Sequence, residues 1–121
     1  MQERRSAGRY AVSFPVRVSW KAESGERVTD EGLTENIGQH GCLIFLPKQL
    51  PLVGSKVSLT VTENPKDEVT VSAEVIRLVR NAGHPQVALN LSDNLREWKK
   101  KVWEHAAEVA NEGGDEDSDD L

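Results

Sequence analysis

The sequence predicts an all-β domain: a six-stranded antiparallel β-barrel followed by a C-terminal amphipathic α-helix. Three observations carry this expectation. Six segments between Phe14 and Leu91 show apolar alternation or a short apolar block. Turn residues separate these segments, with no helical periodicity between them. From Ser92 the apolar period changes from about 2 to about 3.6. Strands without intervening helices, followed by one helix, fit a barrel capped or flanked by that helix.

From Phe14 to Trp20 the alternation is strict, with Phe14, Val16, Val18 and Trp20 on one face and Pro15, Arg17, Ser19 and Lys21 on the other. This pattern is a half-buried strand, and Pro15 marks an edge or an entry position, where a missing N–H is tolerated. A polar turn over Ala22 to Glu26 leads to a second extended stretch from about Arg27 to Ile37, interrupted by Gly32. After a glycine-flanked reversal, Cys42-Leu43-Ile44-Phe45-Leu46 forms a continuous apolar block that reads as a strand covered on both faces. A loop with two prolines, Pro47 to Gly54, precedes alternation from Lys56 to Val61. In the next strand Val69, Val71, Ala73 and Val75 share a face, and the apolar phase slips at Ile76, the signature of a bulge or strong bend. A sheet that curls into a barrel needs such corners. Val87, Leu89 and Leu91 align in the sixth strand. The helix starts at Asn94 with Glu97 three residues on, and Leu95, Trp98, Val102, Ala106 and Val109 form its apolar stripe. These elements divide the chain into an N-terminal flexible arm (1–13), a barrel (14–92), a helix (93–111) and a disordered acidic tail (112–121).

Composition narrows the function classes. The chain has 121 residues, 37% apolar and 29% charged, which suits one soluble domain with its own core. No apolar run approaches the ~20 residues of a membrane helix, and the N-terminus lacks the apolar block of a secretory signal, so the cytoplasm is the expected location without membrane insertion. The single cysteine, Cys42, has no partner for a disulfide or at metal-ligand spacing and reads as small core packing. The net charge of −5 is unevenly distributed: the tail from Glu112 to Leu121 holds six acidic residues and no basic one, whereas the first 21 residues hold five basic groups against one acidic. The tail reads as a solvated segment rather than a competitor for the basic arm. Aromatics make up only 5% of residues and the body is nearly neutral, which argues against a nucleic acid polymer as partner. No catalytic triad, metal cluster or P-loop pattern points to an enzyme.

Two short patterns point to a ligand. Arg5-Ser6-Ala7-Gly8-Arg9 precedes the first strand, and Asn36-Ile37-Gly38-Gln39-His40-Gly41 lies between the second and third. Two guanidinium groups on an arm offer forked donors for phosphate oxygens and flat cationic faces for a base. The polar, glycine-punctuated turn brings backbone close to whatever the arm holds, and Gly38 and Gly41 are expected at positive φ. Together the two segments suit a small anionic nucleotide, which offers phosphate charge and a base face.

The two motifs, their order, the six strands and the terminal helix resemble the PilZ domain, a bacterial receptor for cyclic di-GMP, over about residues 3 to 110. The resemblance implies a second-messenger receptor without catalysis or cofactor. It would pass occupancy to an effector protein in motility, surface polysaccharide or biofilm control. It further implies that Arg5 and Arg9 hold phosphates and stack on or hydrogen-bond guanine, that Asn36 bonds a guanine edge or orients an arginine, and that Gly41 keeps the turn open. Arg4, just before the first motif, goes in many members with an intercalated pair of ligands, so one or two cyclic di-GMP molecules per chain are implied. His40 is expected as a solvent-facing turn residue beside the ligand. The middle position of the second motif is usually Ser, sometimes Ala, and here is Gly38; the lost hydroxyl contact costs about 0.5–1.5 kcal/mol, roughly two- to tenfold in affinity. The alternative is a PilZ-like interaction adaptor that binds no nucleotide, opposed by the intact Arg5, Arg9 and Asn36. Trp20 and Trp98 are expected in the core, whereas Trp103 falls off the helix stripe.

Overall fold

The computed structural model describes residues 8–110. Seven strands form one antiparallel sheet: β1 (Arg9–Tyr10), β2 (Pro15–Lys21), β3 (Arg27–Gly38), β4 (Gly41–Phe45), β5 (Lys56–Val61), β6 (Val69–Val79) and β7 (Gln86–Leu91). The order is β1-β3-β2-β5-β6-β7-β4, and an additional β3–β4 pairing closes β2 to β7 into a six-stranded barrel. The expected barrel is therefore present, with β1 as an extra short strand whose Arg9 and Tyr10 pair with Gly38 and Ile37 of β3. One helix, α1, covers residues 95–110.

Closure follows from the length of β3. Its first half pairs with β2, from Lys21↔Arg27 to Pro15↔Leu33, and its second half pairs with β4, from Leu33↔Phe45 to Ile37↔Cys42. Gly32 sits where the two pairings meet: a Cβ there would lie 2.0 Å from the Phe45 carbonyl oxygen, so only glycine admits the bend. Pro15 is an entry position and not an edge, since β2 is bonded on both sides and Pro15 is its first residue. Alternation fills the interior with Val16, Val18, Ile44, Leu59, Val71, Val75 and Val87, all at most 2% exposed. The β4 block is not covered on both faces. Cys42 and Ile44 are buried and Leu43 and Phe45 only half-buried, because the described residues form no layer outside this wall of the barrel.

The phase slip in β6 is a bulge: the register jumps between Val75 and Arg77, and Ile76 is 55% exposed. A second bulge, not expected from the sequence, lies in β3 between Thr34 and Asn36 and leaves Glu35 as the extra residue. The Glu35 carboxylate is held by the His84 ring at 2.8 Å, and that ring stacks on Phe45 at 4.5 Å between centroids.

Helix α1 packs Trp98, Val102 and Ala106 into the core, as the stripe predicts, while Val109 is partly exposed. Two features depart from an ordinary helix. Asn94 adopts a left-handed φ of 55° and makes no capping hydrogen bond; its amide donates instead to the Thr70 carbonyl and to Glu97. From Trp98 to Trp103 the helix is wound as a π-helix, with the Glu104 N–H bonded to the Lys99 carbonyl. No helix among the described residues is long and apolar enough to cross a membrane.

Candidate functional site

The residues of the second motif meet the described end of the first in an open cleft of about 640 Å³. Register explains its floor. Asn36 of β3 pairs with Leu43 of β4, Leu43 with Ala88 of β7, and Ala88 with Arg77 of β6. Four strands thus present one row, Asn36-Leu43-Ala88-Arg77, all part of the cleft lining. Each end of the row follows a bulge, Glu35 before Asn36 and Ile76 before Arg77. An extra residue re-aims the side chains beside it, and here both polar ends of the row are set that way. Ala88 keeps the middle shallow, Ile76 adds an exposed apolar side chain, and Asn90 lies opposite Gly41 at the rim.

Arg9 lies over the Asn36 end. Its Nε and Nη2 donate to Asn36 Oδ1 at 3.1 and 2.8 Å. Arg77 stands at the other end, exposed. Among the described residues neither guanidinium is ion-paired with a carboxylate, so the cleft carries a cation at each end of an uncharged floor. Cys42 lines the cleft below, yet burial pushes its thiol pKa up to about 12, against a smaller lowering by the nearby Arg9 charge. A thiol held protonated is no nucleophile at neutral pH.

Neither motif glycine has the positive φ expected of it; among the described residues that conformation belongs to Gly25, Gly54, Gly83 and Asn94. Crowding is the reason for glycine at both positions. A Cβ on Gly41 would lie 2.7 Å from the Leu89 carbonyl oxygen, so this glycine lets β4 approach β7. A Cβ on Gly38 would lie 2.9 Å from Arg9 Nη1, so the guanidinium occupies space that a side chain at this position would claim. His40 is exposed at the cleft, as expected of it, and its carbonyl accepts the Leu91 N–H at 2.9 Å, tying the turn to β7.

Arg4 and Arg5 lie outside the described residues, as does the acidic tail. Arg9, Asn36, Gly38, His40 and Gly41 come together in the cleft. Sequence reasoning missed Arg77, Ala88 and Asn90, which only the pairing of β6, β7 and β4 brings to the motif. The phase slip at Ile76 was the one legible sign that the side chain after it is turned outward. It also missed Thr34, whose fully buried hydroxyl accepts the Phe14 N–H and donates to the Val12 carbonyl, anchoring the end of the arm to β3. Among the described residues no group of three or more His, Cys, Asp or Glu is placed to hold a metal ion.

The fold has counterparts among solved structures. No curated protein sequence matches the chain. Among solved structures, the PilZ domain of YcgR from Escherichia coli, determined with c-di-GMP, superposes with a TM-score of 0.63 at 11% identity, covering 93% of this chain and 95% of that one. The PilZ domain of CeSA from a cellulose-synthesizing bacterium gives 0.55 at 22% identity, over 74% and 85%. Bacillus subtilis MotI, an inhibitor of motility, gives 0.52 at 18% identity over 70% of this chain, which spans only 41% of MotI. The family model of the PilZ domain matches residues 3–108, nearly the whole body of the chain. The chain belongs to the PilZ domain family.

Proposed function

We propose that this protein is a non-catalytic receptor for cyclic di-GMP that relays its occupancy to a protein partner. The observation that carries the reading is the row Asn36-Leu43-Ala88-Arg77, with Arg9 above one end and Arg77 at the other. Two separated cations suit the two phosphodiesters and two guanines of such a ligand, and the shallow apolar middle accepts a base face. In this arrangement Arg9 bonds Asn36, so the ligand replaces one set of hydrogen bonds with charge-assisted bonds to phosphate. Arg5 and Arg9 grip phosphate, Asn36 and Arg77 read or support the guanines, and Arg4 decides between one ligand and an intercalated pair. A cyclic dinucleotide made inside the cell meets such a receptor in the cytoplasm, and motility, surface polysaccharide or biofilm formation are the processes in keeping with the family.

Calorimetric titration with cyclic di-GMP tests this reading. Saturable binding to one or two ligands per chain is expected. Arg9→Ala should weaken it at least tenfold, since each hydrogen bond to a charged group contributes about 1.5–3 kcal/mol. No heat at near-millimolar ligand would overturn the reading. It would leave the second one, an interaction adaptor without nucleotide, which Gly38 in place of the usual Ser favours.

A further inference from the structure

The two tryptophans of α1 reach the two motifs. Trp98 Nε1 donates to the Gly38 carbonyl at 2.8 Å, and Trp103 Nε1 donates to the Gly8 carbonyl at 3.1 Å. Gly8 directly precedes Arg9, and Arg9 is the Cα partner of Gly38 in the β1–β3 ladder. The helix therefore holds both sides of the same rung, one indole on each strand. Trp103 also packs against Tyr10, the next residue of β1, with ring centroids 5.7 Å apart.

This double contact depends on the π-helical winding. In an α-helix a residue and its fifth successor point roughly 140° apart, so Trp98 and Trp103 would face different surroundings. With i→i+5 bonding they lie about one turn apart, within roughly 50° of each other on one side of the helix. Unlike Trp98, which is fully buried, Trp103 is only half-buried, so core filling explains it less well. What it touches is a strand of two residues, too short to hold its place by ladder bonds alone.

We infer that Trp103 is a positioning residue for the nucleotide site: its indole N–H fixes the Gly8 peptide, and through it the direction from which Arg9 enters the cleft. The inference rests on the receptor reading for its ligand readout, but not for its structural one. Without the bond, β1 frays and Arg9 must be ordered again each time ligand binds. By linkage, the ligand strengthens the Trp103 contact by the factor that the contact strengthens ligand binding. Occupancy is thereby felt in α1.

Trp103→Phe in the full chain tests the inference, because an aromatic ring beside Tyr10 is retained and the N–H donor is lost. In the ligand-free protein, amide exchange at Arg9 and Tyr10 should accelerate about two- to tenfold, the range expected for one neutral hydrogen bond, while the barrel strands stay protected. The Kd for cyclic di-GMP should rise by a similar factor with little change in Tm. A ligand-induced change in indole emission is expected of the native chain and should shrink in the variant to what Trp98, bonded to Gly38 at the cleft, contributes. Unchanged exchange at Arg9 and Tyr10, or faster exchange with an unchanged Kd, would overturn the inference. Failure of the native chain to bind would instead overturn the receptor reading, and the exchange result would still decide whether Trp103 holds the arm.

Discussion

Gly38 and Gly41 look equivalent as letters of a motif but are constrained by different neighbours. At Gly41 the obstacle to a side chain is the Leu89 backbone, which cannot move without opening the β4–β7 ladder. Gly41→Ala should cost about 1–3 kcal/mol in denaturant unfolding, the range for overpacking. At Gly38 the obstacle is the tip of Arg9, the free end of a long side chain. Gly38→Ser should therefore fold normally. It should strengthen cyclic di-GMP binding about two- to tenfold in a calorimetric titration, by restoring a hydroxyl and by displacing Arg9 from its resting place on Asn36. A weaker or unchanged affinity would refute that account of the departure from the family pattern. Thr34→Val removes a hydroxyl that bonds Val12 and Phe14, leaving a buried N–H unpaired. Its expected cost is about 1–3 kcal/mol of stability. Cys42 predicts a pH effect. Its thiol pKa is raised from 9.0 to about 12 in the folded chain, so above pH ~9 the unfolded chain loses a proton that the folded chain retains. Stability should fall between pH ~9 and ~12, by at most about 1.4 kcal/mol per pH unit from this group, and Cys42→Ala should lack that component in pH-dependent denaturation curves.

At the level of elements, the two bulges do the most to make a site out of a barrel wall. A regular strand would continue its alternation, and a one-residue shift turns every later side chain to the other face. Ile76 is legible in the sequence because the apolar phase slips visibly there. Glu35 is not, because β3 is polar and irregular around it, so no apolar phase exists to be broken. What marks Glu35 is tertiary: its carboxylate meets His84 from the β6–β7 connection. The π-helical turn of α1 was equally hidden, since Trp98, Val102 and Ala106 satisfy an ordinary helical stripe. Its effect shows only where Trp103 reaches Gly8. Ion pairs along the helix, such as Lys101 with Asp67 and Glu97, are exposed and contribute little. Trp98→Phe, by contrast, leaves the buried Gly38 carbonyl without its donor. It should lower unfolding stability by about 1–3 kcal/mol, read from a shift in the denaturant midpoint.

For the whole molecule, a ligand that binds only the folded chain must stabilise it. At a hundredfold excess over Kd, cyclic di-GMP should add about 2.7 kcal/mol, a rise in Tm of roughly ten degrees for a domain of this size, and a tenfold weaker Arg9→Ala should lose about half of that rise at the same ligand concentration. The sequence by itself determined the barrel, the helix and the family, because strand alternation, turn residues and the helical stripe are local patterns that burial enforces. It also determined the two motifs, because each is a contiguous run of residues that needs no folding to assemble. Only the tertiary structure decided that Arg77, Ala88 and Asn90 join the cleft, that Gly38 yields its space to Arg9, and that two tryptophans of α1 hold the rung between the motifs. Those contacts join residues far apart in the chain. Their geometry depends on strand register and helical winding, which one-residue bulges and a single π turn reset without leaving a periodic trace.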